Sequence, residues 1–319
     1  MFKSFKIIIL IQFLISIFLI YFLKSFFIKK FFNYSAPREF LSMGEHSKKG
    51  NISSFGGFVF FTSLIPLFFF SLNEPRGWLI FFASLFSGLI GFIDDFFKKK
   101  YKTGLSAKKK FIFQGLFSLL SVIIWKYFDI NFTNNLLIGS LSFDLKYFYF
   151  LWATLVIIST SHAVNLTDGI DGLASSQVII ILLNLILYIS NINIEYSYLS
   201  LLSIFLLGPL LVFFKKNRYP AKIFMGDVGS LFLGSYLASL FLIFKIEILL
   251  IISGGIFVIE TLSVIIQYLS FKIRKKRFFL FAPIHHDLEK RGFSENKIVL
   301  IASILSIFFQ FLFFLILKN

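Results

Sequence analysis

The sequence predicts an all-α integral membrane protein of about ten transmembrane helices, with both termini outside and its chemistry-bearing residues on cytoplasmic loops. Three observations lead there. The 319 residues are 57% hydrophobic with a mean hydropathy of +0.85, more apolar surface than a soluble chain of this length can hide. Apolar stretches of about 20 residues recur from end to end. And 24 of the 32 Lys and Arg fall in alternate connections, which orients those connections towards the cytoplasm.

The apolar stretches place helices at 5–28, 55–72, 78–97, 111–128, 147–163, 177–194, 197–214, 229–244, 247–269 and 298–317. The first begins with basic residues, like a secretory signal. Lys24, Lys29 and Lys30 follow it instead of a small-residue cleavage site, so it reads as a retained helix. Connections after the odd-numbered helices are long or motif-bearing. Those after the even ones are short tethers, apart from the polar stretch 129–146. No repeat or soluble domain interrupts the pattern, so 1–319 is one polytopic domain, and 270–297 is a structured loop over the cytoplasmic face. The net charge of +16 lies in a juxtamembrane fringe, which suits anionic headgroups and anionic substrates and not a nucleic-acid groove. The absence of Cys excludes disulfides, thiolate metal sites and a Cys nucleophile.

Five carboxylates stand where the hydrocarbon edge makes charge costly: Asp94 and Asp95 after helix 3, Asp168 and Asp171 after helix 5, and Asp227 before helix 8. A single such Asp is usually a solvated helix end. Five on one face, beside glycines, point to a site. Adjacent carboxylates need a cation close by. Lys98, four residues after Asp94, shares its helical face. A hard divalent cation such as Mg²⁺ is the other natural partner, because it takes one or two carboxylates plus substrate phosphate oxygens. The lack of Cys and scarcity of His argue against Zn²⁺. Glycines after Asp168 and Asp171 allow close backbone approach, and the Gly226-Asp227-Val-Gly-Ser230 turn opens a helix whose free N–H groups suit a phosphate. The tandem His285-His286, after Pro283, lies on the same predicted face. Carboxylates, Mg²⁺ and lysines together make the machinery of phosphoryl transfer from a nucleoside diphosphate. A transporter would place its charges near the bilayer midplane on broken helices, and a scaffold would have no use for Asp94-Asp95 with Asp227.

These residues resemble a known family. Asp94-Asp95-Phe-Phe-Lys98, Gly104-Leu-Ser-Ala-Lys-Lys-Lys110, Asn165-Leu-Thr-Asp168-Gly-Ile-Asp171-Gly, Phe224-Met-Gly-Asp227-Val-Gly-Ser230, Glu260-Thr-Leu-Ser-Val-Ile-Ile-Gln267 and Ala282-Pro-Ile-His285-His286 occur in the order seen in the phospho-N-acetylmuramoyl-pentapeptide-transferases. That family belongs to the polyprenyl-phosphate N-acetylhexosamine-1-phosphate transferases. The match runs from about His46 to Glu289. The resemblance implies a ten-helix enzyme of the bacterial inner (cytoplasmic) membrane that passes phospho-MurNAc-pentapeptide from its UDP conjugate to undecaprenyl phosphate. Lipid I and UMP would be the products, in the first membrane step of peptidoglycan synthesis. It implies Mg²⁺ on Asp227, catalytic carboxylates at Asp94 and Asp95, and phosphate contacts from Lys49, Lys98 and Lys110. It further implies a nucleotide pocket lined by Asn165, Asp168, Asp171, Asn217, Phe224 and Gln267, a substrate contact from Ser54, and His285 and His286 on the pyrophosphate or sugar, with His285 and Asp227 counted among the catalytic residues. A homodimer is compatible with it. The Pro-Ile-His-His stretch followed by Glu favours this branch over the GlcNAc-1-phosphate transferases. The chain departs from the family in two places. Lys49-Gly-Asn-Ile-Ser-Ser54-Phe-Gly-Gly57 lacks the usual Thr-Pro pair, although Ser54 keeps a hydroxyl, and Asp287 replaces the third histidine of the usual triplet.

Overall fold

The computed structural model describes residues 54–139, 141–192 and 198–318, together with 7, 10–12 and 14–19. Lys49, the 29–53 connection and much of the expected first helix lie outside the described residues. A helical stretch over Leu10–Leu19 represents that first helix.

The described chain is a helical bundle with one small hairpin. Its elements are a 3₁₀ segment Gly56–Ser63, α1 (Leu64–Ser71), α2 (Gly77–Tyr101), α3 (Ala107–Phe128), β1 (Asn135–Ile138), β2 (Leu141–Asp144), α4 (Phe148–Thr167), α5 (Leu173–Ile192), α6 (Leu201–Asn217), α7 (Gly226–Ile243), α8 (Leu250–Ser253), α9 (Gly255–Arg274), α10 (Ile284–Lys290) and α11 (Glu295–Lys318). Among the described residues eight helices are long and apolar enough to cross a membrane, and each overlaps one of the last eight apolar stretches. The second expected helix is shorter than a usual span, at Gly56–Ser71. Its first eight residues are 3₁₀ and its last eight α. At about 2.0 Å and 1.5 Å rise per residue these reach about 28 Å, close to the hydrocarbon thickness.

Two further departures have local causes. The ninth stretch is not one helix: a 3₁₀ turn Glu247–Leu249 and α8 stop at Gly254, and α9 starts at Gly255. Paired glycines are poor helix formers, and Gly255 lies against the Phe309 ring, where a Cβ would be 2.6 Å from it. The polar stretch 129–146 folds as an antiparallel hairpin with Asn135 opposite Asp144 and Ile138 opposite Leu141. Lys245 fastens it. Its Nζ donates to Thr133 O at 2.7 Å and sits 3.8 Å from the centre of the Tyr149 ring. Burial pushes this lysine down to about 8 against the pull of Glu247 and Asp129.

The centre of the bundle is α7, almost wholly buried, which packs chiefly on α2 and α4. Its Phe232, Tyr236 and Phe241 join Phe60, Phe205 and Phe213 in the main core. Its contacts with α2 and with the 3₁₀ segment are backbone-to-backbone approaches. A Cβ on Gly91 would collide with the carbonyl of Asp227, and one on Gly57 with the backbone of Gly229. This packing presses the C-terminal turns of α2 and α4 and the N-terminal turns of α3 and α7 together at one end. Lys98, Lys99 and Lys100 offset the α2 dipole there, and Ser106 caps α3 by accepting from Lys109 N.

Candidate active site

Four helix ends deliver the site. Asp94, Asp95 and Lys98 come from α2, Lys110 from α3, Asn165 from α4 and Asp227 from α7. The carboxylates of Asp94, Asp95 and Asp227 each offer an oxygen within 4.8 Å of the others. Lys98 Nζ bridges Asp94 Oδ2 at 2.8 Å and Asp227 Oδ2 at 3.0 Å. Lys110 Nζ lies 2.8 Å from Asp94 Oδ2 and donates to Asp227 Oδ2 as well. Three carboxylates thus share two ammonium groups, which pair Asp94 and Asp227 closely and leave Asp95 with Lys98 at 3.9 Å, one positive charge short of balance.

Each carboxylate is also tied to backbone or amide. Asp94 Oδ1 accepts from Leu105 N at 2.6 Å, so the turn after α2 folds back over it. Asp95 Oδ2 accepts from Val228 N at 3.1 Å, a free N–H at the start of α7. Asp227 Oδ1 accepts from Asn165 Nδ2 at 3.0 Å, and the same amide donates to Ser230 Oγ at 2.7 Å. Gly226 has φ +68°, and a Cβ there would strike the carbonyl of Ser54 and crowd Asp95. That contact brings Ser54 to the edge of the cluster. The all-oxygen donor set fits a hard divalent cation, and Asp227, reached by both lysines and by Asn165, is its most accessible corner.

A second group of predicted residues forms the neighbouring wall. His285 is fully buried, with Nδ1 3.0 Å from Glu260 Oε2. Its ring lies against Gly169, where a Cβ would overlap Nε2. Gly169 is four residues from Asn165, so the Asn165–Gly172 segment joins the acidic cluster to the histidine. Asp168 ends α4, its N–H donating to Val164 O. His286 Nδ1 is 2.7 Å from Glu289 Oε2, and the two imidazole rings are 4.2 Å apart.

Several residues expected to line the nucleotide pocket are engaged in holding its loops. Asp171 Oδ2 accepts from Ala221 N at 2.9 Å, and Asn217 joins Ser175 Oγ to Ile223 O. Phe224 O accepts from Gly56 N at 2.9 Å. Gln267 Oε1 accepts from Phe278 N and Phe279 N, and its amide donates to Phe279 O. These contacts shape the 165–172, 217–225 and 275–283 segments around the carboxylates. Glu260, Ser230 and Glu295, which accepts from Asp171 N at 2.9 Å, were not singled out in the sequence as site residues. Glu260 and Ser230 stand inside motifs quoted from the sequence, Glu260 also as a lone acid in an apolar helix, whereas Glu295 carries no local signal.

A model of the glycosyl transferase family 4 matches residues 77–245, the region that supplies all three carboxylates and both lysines. The phospho-N-acetylmuramoyl-pentapeptide-transferase of Wolbachia sp. subsp. Brugia malayi is 41% identical over 293 residues, covering 88% of both chains. The enzyme of that name from the Wolbachia of Drosophila simulans is 44% identical over 81% of this chain and 82% of its own. The one from Rickettsia prowazekii is 40% identical over 83% and 79%. With the cluster at its helix ends and this similarity along most of its length, the chain belongs to the phospho-N-acetylmuramoyl-pentapeptide-transferases of glycosyl transferase family 4.

Proposed function

We propose that the protein transfers phospho-MurNAc-pentapeptide from UDP-MurNAc-pentapeptide to undecaprenyl phosphate, giving lipid I and UMP, at the cytoplasmic face of a bacterial inner membrane. The observation that carries this reading is the cluster of Asp94, Asp95 and Asp227 around the ammonium groups of Lys98 and Lys110. An oxygen of the acceptor phosphate attacks the sugar-linked phosphorus of the donor. The new P–O bond forms as the old pyrophosphate bond breaks, and the electron pair leaves with UMP.

Lys98 and Lys110 turn from the carboxylates to the incoming phosphates and hold them in line. Asp94, buried between both lysines, takes the remaining proton of the acceptor phosphate. Asp95 holds the start of α7 and so the position of Asp227. Asp227, with Asp94 and Asp95 beside it, would hold Mg²⁺. When bound, that ion neutralises charge developing on the pyrophosphate. The wall around Gly169, His285 and Gln267 receives the donor. Between α4 and α9 runs an apolar groove of about 340 Å³, lined by Trp152, Ser159, Ala163, Phe257 and Leu262. It ends two residues short of Asn165 and gives the isoprenoid acceptor a path from the bilayer.

Purified protein given undecaprenyl phosphate, Mg²⁺ and UDP-MurNAc-pentapeptide should release UMP. Turnover with UDP-GlcNAc in its place would assign the chain to the GlcNAc-1-phosphate branch, and no turnover with either donor in a folded sample would remove the enzymatic reading. Asp227→Asn should lower kcat at least about 100-fold. A hydroxylamine-sensitive phospho-enzyme formed from the donor alone would replace direct attack with a covalent route through Asp95.

A further inference from the structure

Glu260 is a carboxylate in the second turn of α9, a helix apolar enough to cross a membrane, and only 4% of it is exposed. An acid in such a place is costly unless it is paired, so its partner indicates its use. Thr261 and Leu262 line the same groove as Thr160 and Ala163, in the turn of α4 that precedes Asn165. The partner is His285. Nδ1 is 3.0 Å from Glu260 Oε2, and the His285 backbone N–H points to the same oxygen at 3.4 Å. The imidazole is fully buried, its Nε2 has no hydrogen-bond partner, and that nitrogen abuts Gly169.

We infer that Glu260 is a positioning residue that keeps the proton of His285 on Nδ1, so that the bare Nε2 beside Gly169 accepts a hydrogen bond from a hydroxyl or N–H group of the donor substrate. A carboxylate can only accept, so the ring nitrogen facing it carries the hydrogen. The neutral ring then has its lone pair on Nε2. A buried polar atom without a partner carries its desolvation cost uncompensated. A substrate group that fills the vacancy recovers that cost on binding. A side chain at residue 169 would overlap the nitrogen; with glycine there, a donor group reaches it by displacing the 169 backbone that covers it. The identity of the ligand rests on the transferase reading above. The tautomer does not.

Two measurements test the inference. The chain has four histidines, so ring ¹⁵N signals of histidine-labelled protein in detergent can be assigned with single His→Gln variants. His285 should show a protonated Nδ1 and an unprotonated Nε2. A protonated Nε2, in the reverse tautomer or in an imidazolium, overturns the inference whether or not the protein turns over. The second test is Glu260→Gln, which keeps the shape and offers Nδ1 an N–H, allowing the tautomer to reverse. The kcat/KM for the nucleotide donor should fall at least about tenfold, with the KM for the lipid phosphate unchanged. Adding Glu260→Gln to His285→Gln should cost nothing more. Unchanged kcat/KM, or losses that add in the double variant, would also overturn it. If the parent protein fails to release UMP, the transferase reading falls while the ¹⁵N result still decides the tautomer.

Discussion

Asp287 stands where relatives usually carry a third histidine, and its contacts show what the exchange does. Its Oδ1 accepts from Leu280 N at 2.8 Å and Phe281 N at 3.4 Å, and its Oδ2 accepts from Arg291 Nε at 2.6 Å. The side chain therefore closes the 280–287 loop that carries His285 and His286. Burial alone would push this carboxyl up, but the hydrogen bonds from Arg291, Leu280 and Phe281 outweigh it and hold the group below the usual carboxylate range. Because the folded value is depressed, the stability it contributes is present above the unfolded value of about 3.9 and is lost as pH falls through the folded value. Asp287→Asn should cost about 1.5–3 kcal/mol in thermal unfolding, with a constant penalty between pH 5 and 8 that shrinks below about pH 4. A penalty that changes across neutral pH would contradict this account. At this scale the acids that end or open apolar runs, Asp94, Asp95 and Asp227, stood out in the sequence, and the structure gathers them into one cluster. The sequence was not legible where a role depends on a distant partner. The pairing of Glu260 with His285 spans 25 residues, and nothing in the local pattern announces it.

The site depends on how closely α2 and α7 approach, and glycine sets that distance. At Gly91 a methyl group would meet the backbone of Asp227, which cannot rotate away as a side chain could. Gly91→Ala should therefore push Asp227 away from Asp94. It should lower stability by about 1–3 kcal/mol and reduce turnover. Gly115→Ala is the matched control, since a Cβ there would have only Ile158 Cδ1 nearby, at 3.7 Å. Replacing a helical glycine with alanine at an open position should stabilise by about 0.5–1 kcal/mol and leave activity alone. Equal effects from the two variants would show that Gly91 matters for helix propensity and not for spacing. The helices themselves were legible from apolar length. The 3₁₀ start at Gly56, the break at Gly254 and the 135–144 hairpin were not. Each follows from tertiary contacts, such as Gly57 on Gly229, Gly255 on Phe309 and Lys245 on Thr133, and hydropathy carries no record of them.

Across the whole molecule, helix ends carry the charge, the centre carries the aromatic core, and an apolar groove runs beside α4 and α9. The alternation of basic loops foretold that the motifs would meet at one end, and they do. The groove was not foretold, because its lining residues are mostly ordinary apolar positions on α4, α8 and α9, far apart in sequence. Its contribution can be separated from the chemistry. Ser159 is exposed in the groove and contributes nothing to the carboxylate cluster. Ser159→Trp adds an apolar ring to a lipid-facing wall, a change the fold should tolerate. It should also fill part of the path. If the groove carries the acceptor, the KM for a long-chain polyprenyl phosphate should rise about tenfold or more, equivalent to about 1.4 kcal/mol of lost binding. The KM for the nucleotide donor should stay fixed, and a short-chain acceptor that does not reach the groove should be used as before. Leu262→Trp, on the opposite wall, should act the same way. If both variants use long and short acceptors equally well, the isoprenoid enters by another face and the groove is only a feature of helix packing.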